Sequence, residues 1–374
     1  MIVPALPATG AWREGHPPGR REWVRLAPLP LAAGGKLTGA RLAYETWGEL
    51  APDGSNAVLV LHALTGDSHV RGRAEPGHPS PGWWHELVGP GRALDTDRWF
   101  VVAPNALGGC QGSTGPAEDA ADGRAWGSRF PMITVRDMVR AEVELAEALG
   151  VRRWAAVLGG SLGGMRALEW AVDQPERVGS ALLLCCGAIS SAEQIAWSSA
   201  QLHAIRADPD WLGGDYHQLP AGRGPHTGLG IARRIAHLTY RSPQELQDRF
   251  AAEHQDGEPA GRYAVESYLD HHADKLVRRF DAASYVALTQ AMSAHDVGRD
   301  RGGVAAALRR VRARVLVAGV DSDRLFPLAQ QRDLADGLPD CGPARVVRSA
   351  AGHDGFLTEN DQVGALLREL LAES

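Results

Sequence analysis

Residues 154–175 read WAAVLGGSLGGMRALEWAVDQP. A short apolar run meets a glycine pair, one serine follows, and a helical pattern begins immediately after it. A continuous apolar run of this length fits a strand buried on both faces. The next stretch repeats apolar residues at helical spacing and is closed by Pro175. A strand feeding directly into a helix is half of a βαβ unit, and it commits the chain to a parallel sheet covered by helices. Glycine costs backbone entropy in regular structure, so the four glycines around Ser161 mark forced geometry.

The same texture recurs on both sides. AVLVLHAL (57–64), WFVVAPNAL (99–107), ALLLCCGA (181–188), RARVLVAGV (312–320) and ARVVRSA (344–350) read as strands. ITVRDMVRAEVELAEALG (133–150) and VGALLRELLA (363–372) read as helices, the first started by a Thr134/Asp137 capping box. Cys185 and Cys186 fall inside the 181–188 run and are expected in a buried strand. Between 189 and 305 no strong strand run appears, only helical stretches such as SAEQIAWSSAQLHAI, GLGIARRIAHLTY and DAASYVALTQAMSAHD. The expected architecture is α/β: a mostly parallel central sheet with helices on both faces, formed by 21–188 and 306–374, and an all-helical lid inserted at 189–305. The Pro/Gly-rich residues 1–20 are expected to form a flexible arm.

Composition removes several classes of function. A net charge of −6 leaves no basic excess for nucleic acid, and no basic amphipathic stretch suits a membrane surface. No apolar run approaches the length of a membrane span, and the first residues lack the features of a signal peptide. The four cysteines form no CxxC pair, so a zinc site is not expected; reduced thiols in a cytoplasmic protein are. The densest histidine pair, His271-His272, lies on a polar helix face and is not read as a metal site. No phosphate-binding or dinucleotide fingerprint appears, so no stored cofactor is expected.

Gly159-Gly160-Ser161-Leu162-Gly163 matches the G-x-S-x-G nucleophile elbow in its required strand–helix context. Such a turn holds the Ser161 hydroxyl clear of the sheet, at the positive end of the next helix. A nucleophilic serine needs a base and a residue to orient that base, here in the order Ser, Asp, His. DSDRLFP offers both Asp321 and Asp323; Asp323 lies further into the loop and is preferred. AGHDGF supplies His353 after the next strand. The expected oxyanion donors are the backbone N–H groups of Leu162 and of Leu64, in the loop after 57–61.

Beyond these residues, LHALTGDSHV (61–70), PNALGGCQGSTGP (104–116), FPMITVRDMV (130–139), GGSLGGMRALEWA (159–171), GLGIARRIAHLTYRS (228–242) and DKLVRRFDAASYVALTQAMSAHD (274–296) carry a resemblance. With DSDRLFP and AGHDGFL, they resemble the homoserine O-acetyltransferase family of α/β-hydrolase-fold acyltransferases. Leu162 departs from that pattern, which usually has Met there; a backbone donor tolerates the exchange. The resemblance implies that an acyl group moves from acyl-CoA to Ser161 and then to the hydroxyl of homoserine, a step of methionine synthesis. It implies that Arg233 pairs the amino acid's carboxylate, that Tyr240 shares that helix face, and that Asp354 takes the ammonium group. It further implies a homodimer formed through the lid, with acetyl-CoA as co-substrate rather than cofactor. An esterase, lipase or peptidase on the same residues remains the alternative, as does a non-catalytic binding protein. Among transferases, the donor is acetyl- or succinyl-CoA and the acceptor homoserine or serine. No further cation in these motifs is placed for a succinyl carboxylate: Arg166, five residues after Ser161, is read as a solvated or structural arginine in preference to that role, and the reading favours acetyl-CoA and homoserine.

Overall fold

The computed structural model describes residues 5–255 and 261–372. Chain order begins with β1 (Glu22–Arg25), a two-stranded ribbon of β2 (Leu29–Pro30) and β3 (Lys36–Leu37), then β4 (Arg41–Trp47), β5 (Ala57–Leu61) and β6 (Phe100–Pro104). Helix α1 (Val135–Ala148) leads to β7 (Trp154–Gly160), α2 (Leu162–Asp173) and β8 (Val178–Leu184). Five helices then follow, with no strand between them among the described residues: α3 (Ala192–Arg206), α4 (His226–Tyr240), α5 (Pro243–Phe250), α6 (Ala264–Val277) and α7 (Ala282–Ser293). The chain returns through α8 (Val304–Leu308), β9 (Arg314–Val320), α9 (Leu328–Gly337) and β10 (Arg345–Val347), and ends in α10 (Gly355–Thr358) and α11 (Asn360–Leu371).

Eight strands make one sheet in the order β1-β4-β6-β5-β7-β8-β9-β10. The six from β6 to β10 are parallel, whereas β4 and β1 run antiparallel at one edge. Parallel strands need crossovers, and helices lie in those from β6 to β7, β7 to β8, β8 to β9 and β9 to β10. All five residues of β5 and all seven of β7 are buried, which explains their unbroken apolar character. Helix α1 starts at Thr134, whose side chain accepts from the Asp137 N–H while Asp137 accepts from the Thr134 N–H.

Three expectations need correction. Cys185 and Cys186 are buried but lie beyond the strand, which stops at Leu184 because Cys185 takes φ 48°. The helix after Ser161 ends at Asp173, before Pro175. Residues 1–4 of the expected flexible arm lie outside the described residues; residues 14–20 are exposed, but the stretch from Ala8 to Trp12 is packed rather than loose. Ala8, Ala11 and Trp12 are buried, the Gly10 N–H donates to the Phe280 carbonyl and the Trp12 N–H to that of Cys110. Burial of three apolar side chains and two satisfied backbone donors fixes a segment whose composition suggested freedom.

Candidate active site

Ser161 stands between β7 and α2 with φ 56° and ψ −124°, a conformation that costs a non-glycine residue about 1–3 kcal/mol. Its surroundings impose this. A Cβ on Gly159 would lie 2.2 Å from the Gly163 carbonyl oxygen, and one on Gly163 would lie 2.0 Å from that of Leu61. Glycine at both positions lets α2 start against β5 and β7. The Ser161 N–H donates to the Leu184 carbonyl at 2.9 Å, tying the turn to the end of β8.

Strand ends further along the sheet, those of β9 and β10, deliver the other groups. Asp323 follows β9 and is buried; its Oδ1 accepts the N–H groups of Leu325 and Phe326 at 2.8 and 2.9 Å. Its Oδ2 lies 2.6 Å from His353 Nδ1. Asp321, the other candidate, is exposed and accepts the Ser349 N–H instead. His353 sits in a short 3-10 turn after β10, held among Phe326, Phe356 and Tyr240 at ring separations of 5.2, 5.5 and 5.8 Å. Its Nε2 is buried and has no hydrogen-bond partner among the described residues. Burial disfavours the imidazolium, but the Asp323 carboxylate outweighs it and raises the His353 pKa above the ordinary histidine value. Gly352 takes φ 67°, and a Cβ there would meet the Tyr240 carbonyl at 2.4 Å, so the turn fits beneath the end of α4. Cys185 was not anticipated at the site: its thiol lies within 4.8 Å of the Asp323 and His353 ligand atoms. Only the positive φ at 185, invisible in sequence, brings it there.

Leu64 is a corner of the Ala63–Gly66 turn after β5, closed by a 2.9 Å bond from the Gly66 N–H to the Ala63 carbonyl. Leu162 opens α2. Arg233 and Tyr240 share one face of α4, the guanidinium stacked over the phenol ring at 5.5 Å. Arg233 also donates to Thr65 Oγ1 at 3.4 Å, and its buried Nε has no partner among the described residues. Asp354 follows His353 and is paired at 3.2 Å with Arg241, a residue the sequence reading passed over. Burial pushes the Asp354 carboxyl above its ordinary range, against the pull of Arg241. Arg166 does not face the serine. It is fully buried and bonded to Glu142, which also accepts from the Trp170 indole.

A cavity of about 40 Å³ lies beside these groups, lined among others by Leu64, Met165, Thr239, Tyr240, Leu325 and Phe326. That is space for about three water-sized spheres. None of its lining residues is charged.

The sheet order and the serine turn place this molecule in the α/β-hydrolase fold class, and a family model for that fold matches residues 56–360. The nearer relationship is to acyltransferases. The chain is 68% identical to homoserine O-acetyltransferase of Thermobifida fusca, covering 99% of both proteins. Among solved structures, homoserine O-acetyltransferase from Bacillus anthracis superposes with a TM-score of 0.85 at 25% identity, covering 94% of this chain and 97% of that one. Esterase E22 reaches the same TM-score at 23% identity, covering 94% and 99%, a likeness of fold alone. The chain belongs to the homoserine O-acetyltransferase family.

Proposed function

We propose that this protein transfers the acetyl group of acetyl-CoA to the hydroxyl of L-homoserine through an acyl-serine intermediate. The carrying observation is the buried Asp323–His353 pair on the turns after β9 and β10, its Nε2 unpartnered among the described residues, in the same sheet whose β7 ends at a strained, buried Ser161. In the first half-reaction Ser161 Oγ attacks the thioester carbonyl while His353 Nε2 takes its proton. The N–H groups of Leu64 and Leu162 hold the oxyanion. The carbon–sulfur bond breaks, and the CoA sulfur leaves with the proton from His353. In the second, the homoserine hydroxyl gives its proton to His353 and attacks the acyl carbon, and Ser161 recovers the proton as the ester leaves. Asp323 orients the ring and favours its charged form throughout.

Substrate choice follows from the surroundings. The small uncharged cavity suits an acetyl methyl group; a succinyl carboxylate would need a cation there, and Arg166 is committed to Glu142. Arg233, with donors to spare beside Tyr240, suits the α-carboxylate, and Asp354 suits the ammonium group while sharing Arg241. The helices of residues 189–305 act as a lid that keeps water from the acyl-serine. On this reading the CoA is a substrate and no resident cofactor is required.

Four free, buried cysteines fit a reducing cytoplasm, a placement that cell fractionation checks. No helix among the described residues is long and apolar enough to cross a membrane. Ile231 and Leu238, exposed on α4 at 44% and 40%, support a homodimer formed through the lid.

Release of free CoA thiol from acetyl-CoA, with and without homoserine, tests the reading. Arg233→Ala is expected to raise the homoserine KM by about tenfold or more, the loss of one charged hydrogen bond, with acyl-enzyme formation retained. Collapse of acyl-enzyme formation would mean the arginine serves another step. Equal thiol release without homoserine would favour a hydrolase.

A further inference from the structure

The Arg278-Arg279 pair stands at the base of the lid, in the short link between α6 and α7, and the reaction outlined above gives it no part. Arg279 reaches out of the lid into the core. One of its terminal nitrogens donates to the Thr65 carbonyl oxygen, and the other lies 3.8 Å from the Asp67 carboxylate. Its own carbonyl accepts from Gln111 Nε2 at 2.7 Å, and Gln111 Oε1 in turn accepts from the buried Arg21. The residue is therefore anchored through its backbone while its guanidinium grips a single loop.

That loop is the turn carrying Leu64. Ala63 and Gly66 close it, so Leu64 and Thr65 occupy its corners. The first corner N–H of such a turn is not used in closing it. One side of the turn is fixed by His62, whose Nε2 accepts the Ala106 N–H at 2.9 Å, leaving Nδ1–H to donate to the Ala63 carbonyl at 2.8 Å. Burial, reinforced by the Arg166 charge, holds the His62 pKa down to about 3, so this donor pattern persists at neutral pH. On the other side, Trp83 and Asn105 hold Asp67 and Ser68 beyond the turn, but within it the Thr65 carbonyl is held by Arg279 and the Thr65 hydroxyl by the longer bond from Arg233.

We infer that Arg279 is a positioning residue for the oxyanion hole, aligning the Leu64 N–H by fixing the Thr65 carbonyl and so linking the lid to the chemistry beneath it. The inference rests on Leu64 being an oxyanion donor. The two arginines at Thr65 thus divide the work. Arg233 keeps an unpartnered nitrogen for substrate, whereas the Arg279 guanidinium is engaged by Thr65 and Asp67.

The test compares Arg279→Met and Arg279→Lys with an amide-to-ester replacement at Leu64, which removes only that N–H. The readouts are the rate of acyl-enzyme formation from acetyl-CoA, the homoserine KM and the melting temperature. Removing an oxyanion donor costs about 10²–10³-fold in rate, so misaligning one through Arg279→Met should cost about 10–100-fold. The homoserine KM should stay within about twofold. Arg279→Lys should recover part of the rate. In the ester background, Arg279→Met should add almost nothing, because both changes disable the same donor. An unchanged rate in a folded Arg279→Met protein would overturn the inference while leaving the Leu64 assignment intact. Full additivity would overturn it too. An ester at Leu64 without effect would remove the assignment on which it rests.

Discussion

Asp321 and Asp323 have identical side chains two residues apart, and only their surroundings separate them. Asp323 is buried against His353, while Asp321 is exposed and bonded to the Ser349 backbone. Asp323→Asn is therefore expected to slow acyl-enzyme formation by about 10⁴-fold and Asp321→Asn to change it little. The pH profile should separate them as well. The His353 pKa is raised, so its neutral, base-competent form appears only above the usual midpoint near 6.5. The rate should rise with pH through a midpoint above that value, and the residual rate of Asp323→Asn should rise through a lower one, the imidazolium having lost its carboxylate. A profile unmoved by Asp323→Asn would place the orienting group elsewhere. Ser161 and His353 are legible from sequence because a G-x-S-x-G turn and a polar loop each follow an apolar strand. The left-handed Cys185 and the Arg241–Asp354 pairing are not, since they depend on contacts between distant segments.

At the scale of elements, legibility tracks burial on both faces. β5, β7, β8 and β9 are apolar runs and stand out. The antiparallel edge does not: β4 is RLAYETW, its polar residues interrupting any pattern. Within it Glu45 is fully buried, its charge met by the Ser68 hydroxyl at 2.7 Å and by His69 and His78 at 3.3 and 3.4 Å, partners that no local reading supplies. Helix α9, LAQQRDLADG, is too polar to stand out. A second hidden charge joins α1 to α2. Glu142 holds the Arg166 guanidinium and the Trp170 indole, with both ionic partners inaccessible to solvent. Breaking a buried pair by removing one partner costs about 3–5 kcal/mol. Glu142→Ala is expected to lose that much in urea denaturation, by leaving Arg166 uncompensated beneath the serine helix. A loss below about 1 kcal/mol, the range of exposed pairs, would mean water reaches the site.

The whole molecule is a sheet whose strand ends carry Ser161, Asp323 and His353, and an inserted set of helices that carries Arg233, Tyr240 and Arg279, the two arginines reaching the loop after β5. The amino-terminal segment is part of this closure, since Gly10 packs against the backbone of Arg279 so tightly that a Cβ would lie 2.5 Å from its nitrogen. Composition alone hid that role, because proline and glycine signal freedom until a groove exists to receive them. The exposed leucine and isoleucine of α4 extend the account to assembly. Sedimentation equilibrium is expected to give twice the chain mass of 39.9 kDa, and Leu238→Glu to shift the protein toward monomer. A monomer at working concentration would assign that face to another use. The central claim is that Ser161 carries the acyl group, and it is tested most directly by mass spectrometry of the protein mixed with acetyl-CoA in the absence of homoserine. The account predicts one acetyl group on the peptide containing Ser161, discharged when homoserine is added and absent from Ser161→Ala. Transfer to homoserine by Ser161→Ala at the normal rate, with no acyl-serine in the parent protein, would contradict it.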